Sequence, residues 1–223
     1  MHGAPNFRGA RDSIGIDPHG GNIMESIQGL EGLRVAILLT DGFEQSEFTG
    51  PRDALQQAGA SVTVISTHLG KVQGFRHVDK LDAFDVDLCF DDADPDDFDA
   101  VVLPGGVVNA DQIRIAPQAQ QFVRRMQAED KPIAVICHGA WLLISAGLVR
   151  GRTLTSWPTL QDDINNAGGH WVNQQVAVDG NWISSRRPGD IPAFNDKLIE
   201  ILGERISLSV RGTADEQRPG LGS

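Results

Sequence analysis

A chain of 223 residues, 40% of them hydrophobic, is long enough for one sizeable α/β domain and short for two. Its net charge of −11 argues against nucleic acid or an anionic membrane surface as a partner, since both need a basic face. Two cysteines, Cys89 and Cys137, supply no disulfide framework and point to a reducing cytoplasm. No apolar run reaches the roughly 18 residues of a membrane span, and the absence of tyrosine removes one candidate general acid.

Residues 1–32 are rich in Gly and polar residues, carry no signal-peptide core, and read as a flexible N-terminal extension. Arg34 to Thr40 is a continuous apolar run of strand length, as expected for a strand covered on both faces. Asp41-Gly42-Phe43-Glu44 breaks it, and a helix is expected up to Ala58, with Gly59 as its stop. Ser61 to Ser66 reads as the next strand, which makes a βαβ unit with a right-handed crossover. Val72 to Phe75 and Val86 to Phe90 read as short strands flanking a loop. The ten Asp between Asp79 and Asp99 read as a solvated loop face, because the Gly and terminal Glu of a calcium loop are missing.

Ala100 to Leu103 is a buried strand ending at Pro104-Gly105-Gly106. Pro117 suits the first turn of a helix to Ala128, and Ile133 to Ile136 is another buried strand. Cys137 and His138 follow it directly, then a helix to Ala146 closed by Gly147. Thr153 to Ser156 reads as a strand and Leu160 to Ala167 as a helix. Asp179-Gly180 between two alternating runs signals a hairpin over Val176 to Ser184. A last helix runs from about Pro188 to Leu202, and residues 207–223 read as a flexible tail. Residues 33–206 thus form one domain with a doubly wound, mainly parallel sheet, whose sites lie beyond the carboxyl ends of the strands.

Three such ends carry chemistry. A thiol at a strand–turn–helix junction is held in a strained conformation facing a helix dipole, which exposes the sulfur and favours its thiolate. The alternative for Cys137 is a small buried apolar residue, the usual place of a free cysteine. Glu47, near the start of the first helix, is either a dipole-stabilising carboxylate or a protonated acid donating to that sulfur, and Glu44 competes for the role. Gly105-Gly106 lets the Gly106 N–H approach a reacting oxygen and, with the His138 N–H, form an oxyanion hole. A base at His138 needs an orienting partner, for which Asp111 is the best acidic candidate. His68, His77 and His170 share no metal-ligand spacing, so no metal is assigned, and Cys89 reads as an inert buried thiol.

Taken together these residues resemble the ThiJ/PfpI family, in its PfpI-type intracellular protease branch (peptidase C56-like), over about Leu33 to Leu202. The resemblance is carried by Asp41-Gly42-Phe43-Glu44-Gln45-Ser46-Glu47, by Val102-Leu103-Pro104-Gly105-Gly106 and by Ala134-Val135-Ile136-Cys137-His138-Gly139. The runs Leu143 to Arg152, Asn166 to Val172 and Val178 to Arg186 extend it. It implies a flavodoxin-like single domain, similar to class I glutamine amidotransferases, with Cys137 as nucleophile. The family's helix carboxyl falls on Glu47 rather than Glu44, and its adjacent His falls on His138. An acid from a neighbouring subunit falls on Asp111, with one extra residue in the segment and Asp in place of Glu. A homo-oligomer and no cofactor are therefore expected.

The implied activity is a stress-protective, cysteine-dependent hydrolase acting on peptides or on reactive carbonyls such as methylglyoxal and their adducts. Protease, deglycase and glyoxalase III-type reactions all fit it. A rival is a non-enzymatic redox sensor or chaperone whose Cys137 is oxidised. A glutamine amidotransferase would need a late His-x-Glu pair, and His170 is followed by Trp171-Val172.

Overall fold

The computed structural model describes residues 29–216, with side chains as far as residue 207. Most of the expected N-terminal extension and the end of the tail therefore lie outside the described residues. A seven-stranded sheet forms the centre. Its members are β1 (Arg34–Leu38), β3 (Ser61–Ser66), β6 (Leu88–Cys89), β7 (Ala100–Leu103), β8 (Ile133–Ile136), β11 (Val176–Asp179) and β12 (Trp182–Ser185). Their order is β11-β12-β8-β7-β1-β3-β6, parallel throughout except for the β11–β12 hairpin. The chain first builds outward from β1 through β3 and then returns to build the other way from β7. That reversal is the switch point where doubly wound sheets open a crevice.

Alternation along the central strands divides the core in two. Ala36, Leu38, Val101, Leu103, Ile133 and Val135 face α3 (Pro117–Ala128) and α4 (Ala140–Ser145). Val35, Ile37, Val102, Ala134 and Ile136 face α1 (Gln45–Gln57) and α6 (Ile191–Glu216). Both faces are covered, which is why these strands are apolar without interruption. Register pairs Ile37 with Val102 and Leu103 with Val135, so β1, β7 and β8 end nearly level.

Several expectations are corrected. The acidic stretch begins not as a loop but as β5 (Asp79–Val86), which pairs antiparallel with β4 (Gly70–Arg76). With β2 (Phe43–Glu44) these form a separate three-stranded sheet. Arg76 opposite Asp79 leaves a two-residue turn, His77-Val78, in which His77 takes φ 57°. The Glu44 carboxylate holds that turn by accepting from the His77 N–H at 2.9 Å.

A short helix, α2 (Val107–Ile113), follows Gly106 where no element was expected. The strand expected over Thr153 to Ser156 is only β9 (Thr153–Leu154), paired with β10 (His170–Trp171), and α5 is Gln161–Asn166. The second hairpin turns at Gly180-Asn181, one residue later than expected, because Asp179 is drawn into pairing with Trp182. Packing begins earlier than Leu33, since Leu30 is fully buried and bonded to Ala58. The last helix, α6, continues past Leu202 to Glu216.

Candidate active site

β8 ends in a turn that breaks the alternation of the strand. Cys137 has φ 61°, a left-handed conformation that a non-glycine residue adopts only under constraint, and it opens a single 3-10 turn ahead of α4. The consequence is visible in packing. Ile136 and Cys137 are consecutive, yet both belong to the core face that meets α1. The thiol is thereby brought to Glu47, in the first turn of that helix.

Glu47 is fully buried. Its Oε2 accepts from the Gly105 N–H at 2.9 Å, and its Oε1 has no hydrogen-bond partner among the described residues. The carboxyl also meets the Cys137 thiol. Burial pushes the Glu47 pKa from 4.5 to about 8, against the smaller lowering by the thiol and by the Gly105 amide, so the group is protonated at neutral pH. Glu44 is also buried, but its carboxylate is spent on the hairpin turn. Of the two rivals, Glu47 is the one brought to the sulfur.

Cys137 is only 7% exposed. Burial, and next the charge of an ionised Glu47, push its pKa well above the ordinary cysteine value. The backbone N–H groups of His138 and Gly106 act the other way and are outweighed. The expectation of an exposed, low-pKa sulfur is corrected for that reason: desolvation is stronger than the helix end. His138 Nδ1 lies 3.3 Å from Sγ, and burial lowers the imidazole pKa from 6.5 to about 4. At neutral pH the site is therefore an uncharged thiol, carboxylic acid and imidazole, as a low-dielectric pocket favours.

Among the described residues of the chain, no carboxylate hydrogen-bonds to the His138 ring. The ring stacks on Trp157, with centroids 5.8 Å apart, and meets Trp141 edge-on at 5.3 Å. Trp141 is itself tied by its Nε1–H to Asp163 at 2.8 Å and lies under the Arg114 guanidinium. Asp111 is exposed on α2 and makes no hydrogen bond or ion pair among the described residues. Cys89, expected to be buried, is half-buried at the sheet edge on β6.

Gly105 admits no side chain. An added Cβ would lie 2.5 Å from Glu47 Oε2 and 2.7 Å from Cys137 Cβ. Gly106 combines φ 87° with a backbone so close that a Cβ would meet Gly42 O at 2.4 Å. Sequence reasoning missed Asn109, which is buried to 1% exposure beneath these glycines. Its signal was available: Asn109, Ala110 and Ile113 have the spacing of one helix face, with a polar residue on the buried side. For Trp141 and Trp157 no comparable signal exists.

Among the described residues, no three His, Cys, Asp or Glu side chains gather as a metal site requires. No helix there is long and apolar enough to cross a membrane.

Residues 33–201 match the family model described as the DJ-1/PfpI family. The chain is 43% identical over 170 residues to a deglycase of Thermococcus kodakarensis, covering 76% of this chain and 99% of that protein. It is 40% identical over 172 residues to protein/nucleic acid deglycase 2 of Escherichia coli, covering 76% and 98%. The crystal structure of Drosophila melanogaster DJ-1beta superposes with a TM-score of 0.71 at 30% identity, covering 82% of this chain and 97% of that one.

Proposed function

The chain belongs to the DJ-1/PfpI family, and on that premise we propose that it is a stress-protective, cysteine-dependent hydrolase of peptides or of reactive carbonyls and their adducts. One observation carries this reading: the strained Cys137 turn sets Sγ 3.3 Å from a neutral imidazole nitrogen, with two backbone N–H groups facing the sulfur. The relatives named as deglycases favour carbonyl adducts as the substrate class.

In this mechanism His138 Nδ1 takes the thiol proton as sulfur adds to the substrate carbonyl carbon. The N–H groups of Gly106 and His138 donate to the oxygen on which negative charge develops. Protonated Glu47 stabilises the charge on sulfur whenever the addition reverses. With a peptide, the imidazolium returns its proton to the leaving nitrogen, and water then cleaves the acyl–sulfur bond, releasing acid and thiol. With methylglyoxal nothing leaves: the hemithioacetal C–H proton passes to the neighbouring carbonyl carbon to give the thioester, and water hydrolyses that to the hydroxy acid and thiol. Charge forms only during reaction, which is why an uncharged resting site is compatible with catalysis. Asp111 has the complementary part of orienting His138 of a neighbouring subunit.

Cys137→Ser tests the reading. Turnover of methylglyoxal, of its adducts with amino groups and of a peptide is expected to vanish. A substrate still turned over at the wild-type rate removes that reaction from the assignment. The redox-sensor reading is weaker, because a sensor needs an accessible, low-pKa sulfur and Cys137 is buried with a raised pKa.

A further inference from the structure

The two peptide units between Pro104 and Gly106 are gripped from opposite sides. Toward the site, Gly105 N–H donates to Glu47 Oε2 at 2.9 Å and Gly106 N–H faces the Cys137 sulfur. On the far side, one side chain takes both carbonyls: Asn109 Nδ2 donates to Pro104 O at 3.2 Å and to Gly105 O at 2.9 Å. A trans peptide is planar, with its C=O and N–H pointing opposite ways. Holding the Gly105 carbonyl therefore aims the Gly106 N–H, and holding the Pro104 carbonyl aims the Gly105 N–H.

Asn109 is fixed in turn. Its Oδ1 accepts from the Thr40 N–H at 2.7 Å, which also determines which way the amide is turned, since a backbone N–H can only donate. Its own N–H reaches Gly42 O at 3.4 Å. One buried amide thus ties the end of β1 to the end of β7 at the switch point of the sheet. Among the described residues, the only other donor to the Gly105 carbonyl is Glu44 N–H at 3.3 Å.

We infer that Asn109 is the positioning residue for the Cys137–Glu47 pair, orienting the Gly106 N–H on the sulfur and the Gly105 N–H on the carboxyl. It touches neither substrate nor sulfur and acts through the two peptides. This deepens the reading of the site as a cysteine hydrolase and rests on it for turnover, but not for the state of the thiol. Asn109→Ala removes both donors. Asn109→Ser, smaller and still able to donate once, guards against a fold that fails in the alanine variant.

The test measures kcat and KM on methylglyoxal, and the pH midpoint of Cys137 alkylation by iodoacetamide, which needs no turnover. With the aim of the Gly106 N–H lost, the alkylation midpoint is expected to rise. Where turnover is present, kcat is expected to fall about tenfold to a hundredfold, with KM within about threefold and serine intermediate. A lowered Tm with kcat and alkylation midpoint at wild-type values, in either folded variant, overturns the inference and leaves Asn109 a scaffold residue. Absence of turnover in the wild-type protein overturns the hydrolase reading alone, since the alkylation midpoint still decides for or against Asn109.

Discussion

Glu47 is held protonated by burial, and pH reveals the cost. The folded chain keeps a proton on Glu47 up to about pH 8, whereas the unfolded chain releases it near 4.5, so stability falls as pH rises across that window. His138 works oppositely: the unfolded chain takes up a proton near 6.5 that the folded one refuses down to about 4, so stability is lost as pH falls through that range. The two slopes oppose each other between 4.5 and 6.5, and above 6.5 only Glu47 remains. At about 1.4 kcal/mol per pH unit, roughly 2 kcal/mol should be lost between pH 6.5 and 8. Glu47→Gln, neutral at every pH, is expected to flatten this part of the profile in urea unfolding. An equally steep decline in the variant would show that Glu47 is not its source. Nothing in residue type distinguishes Glu47 from Glu44, because what separates them is burial and a neighbour distant in sequence.

Elements differ in how openly they are written. β1, β7 and β8 are buried on both faces, so their apolar runs identify them at once. The β4–β5 hairpin has no such mark. Most of β5 is exposed, its strand positions are largely charged, and its turn uses His77 in a left-handed conformation where Asn or Gly would signal it. Tertiary contact replaces turn chemistry there, through the Glu44 carboxylate on the His77 N–H. Glu44→Ala should cost about 1–3 kcal/mol and speed amide hydrogen exchange over residues 75–80, leaving β1 and β8 protected. Unchanged exchange at the turn would mean that the strands alone hold it. α2 was hidden for a different reason: it has seven residues, opens with Val-Val, and has a glycine cap with no capping side chain.

For the whole molecule, assembly is where the exposed surface has its consequence. Val107, Val108 and Ile115 are exposed around α2, on the same short segment as exposed Asp111. If a neighbouring copy covers this segment and brings Asp111 to its His138, Asp111→Asn should lower kcat at least severalfold without changing the subunit count by sedimentation. An unchanged kcat in the assembled variant would exclude Asp111 from the site. The sequence by itself determined the parallel α/β fold, the family and the Cys137 turn, because each rests on local order: apolar runs, punctuating glycines and a thiol at a strand end. The family resemblance already pointed to Glu47; only the tertiary structure decided how that side chain reaches the sulfur, that Asn109 grips the peptides behind the glycines, and that the resting site is uncharged. Those outcomes depend on desolvation and on contacts between residues far apart in the chain, which no local pattern encodes.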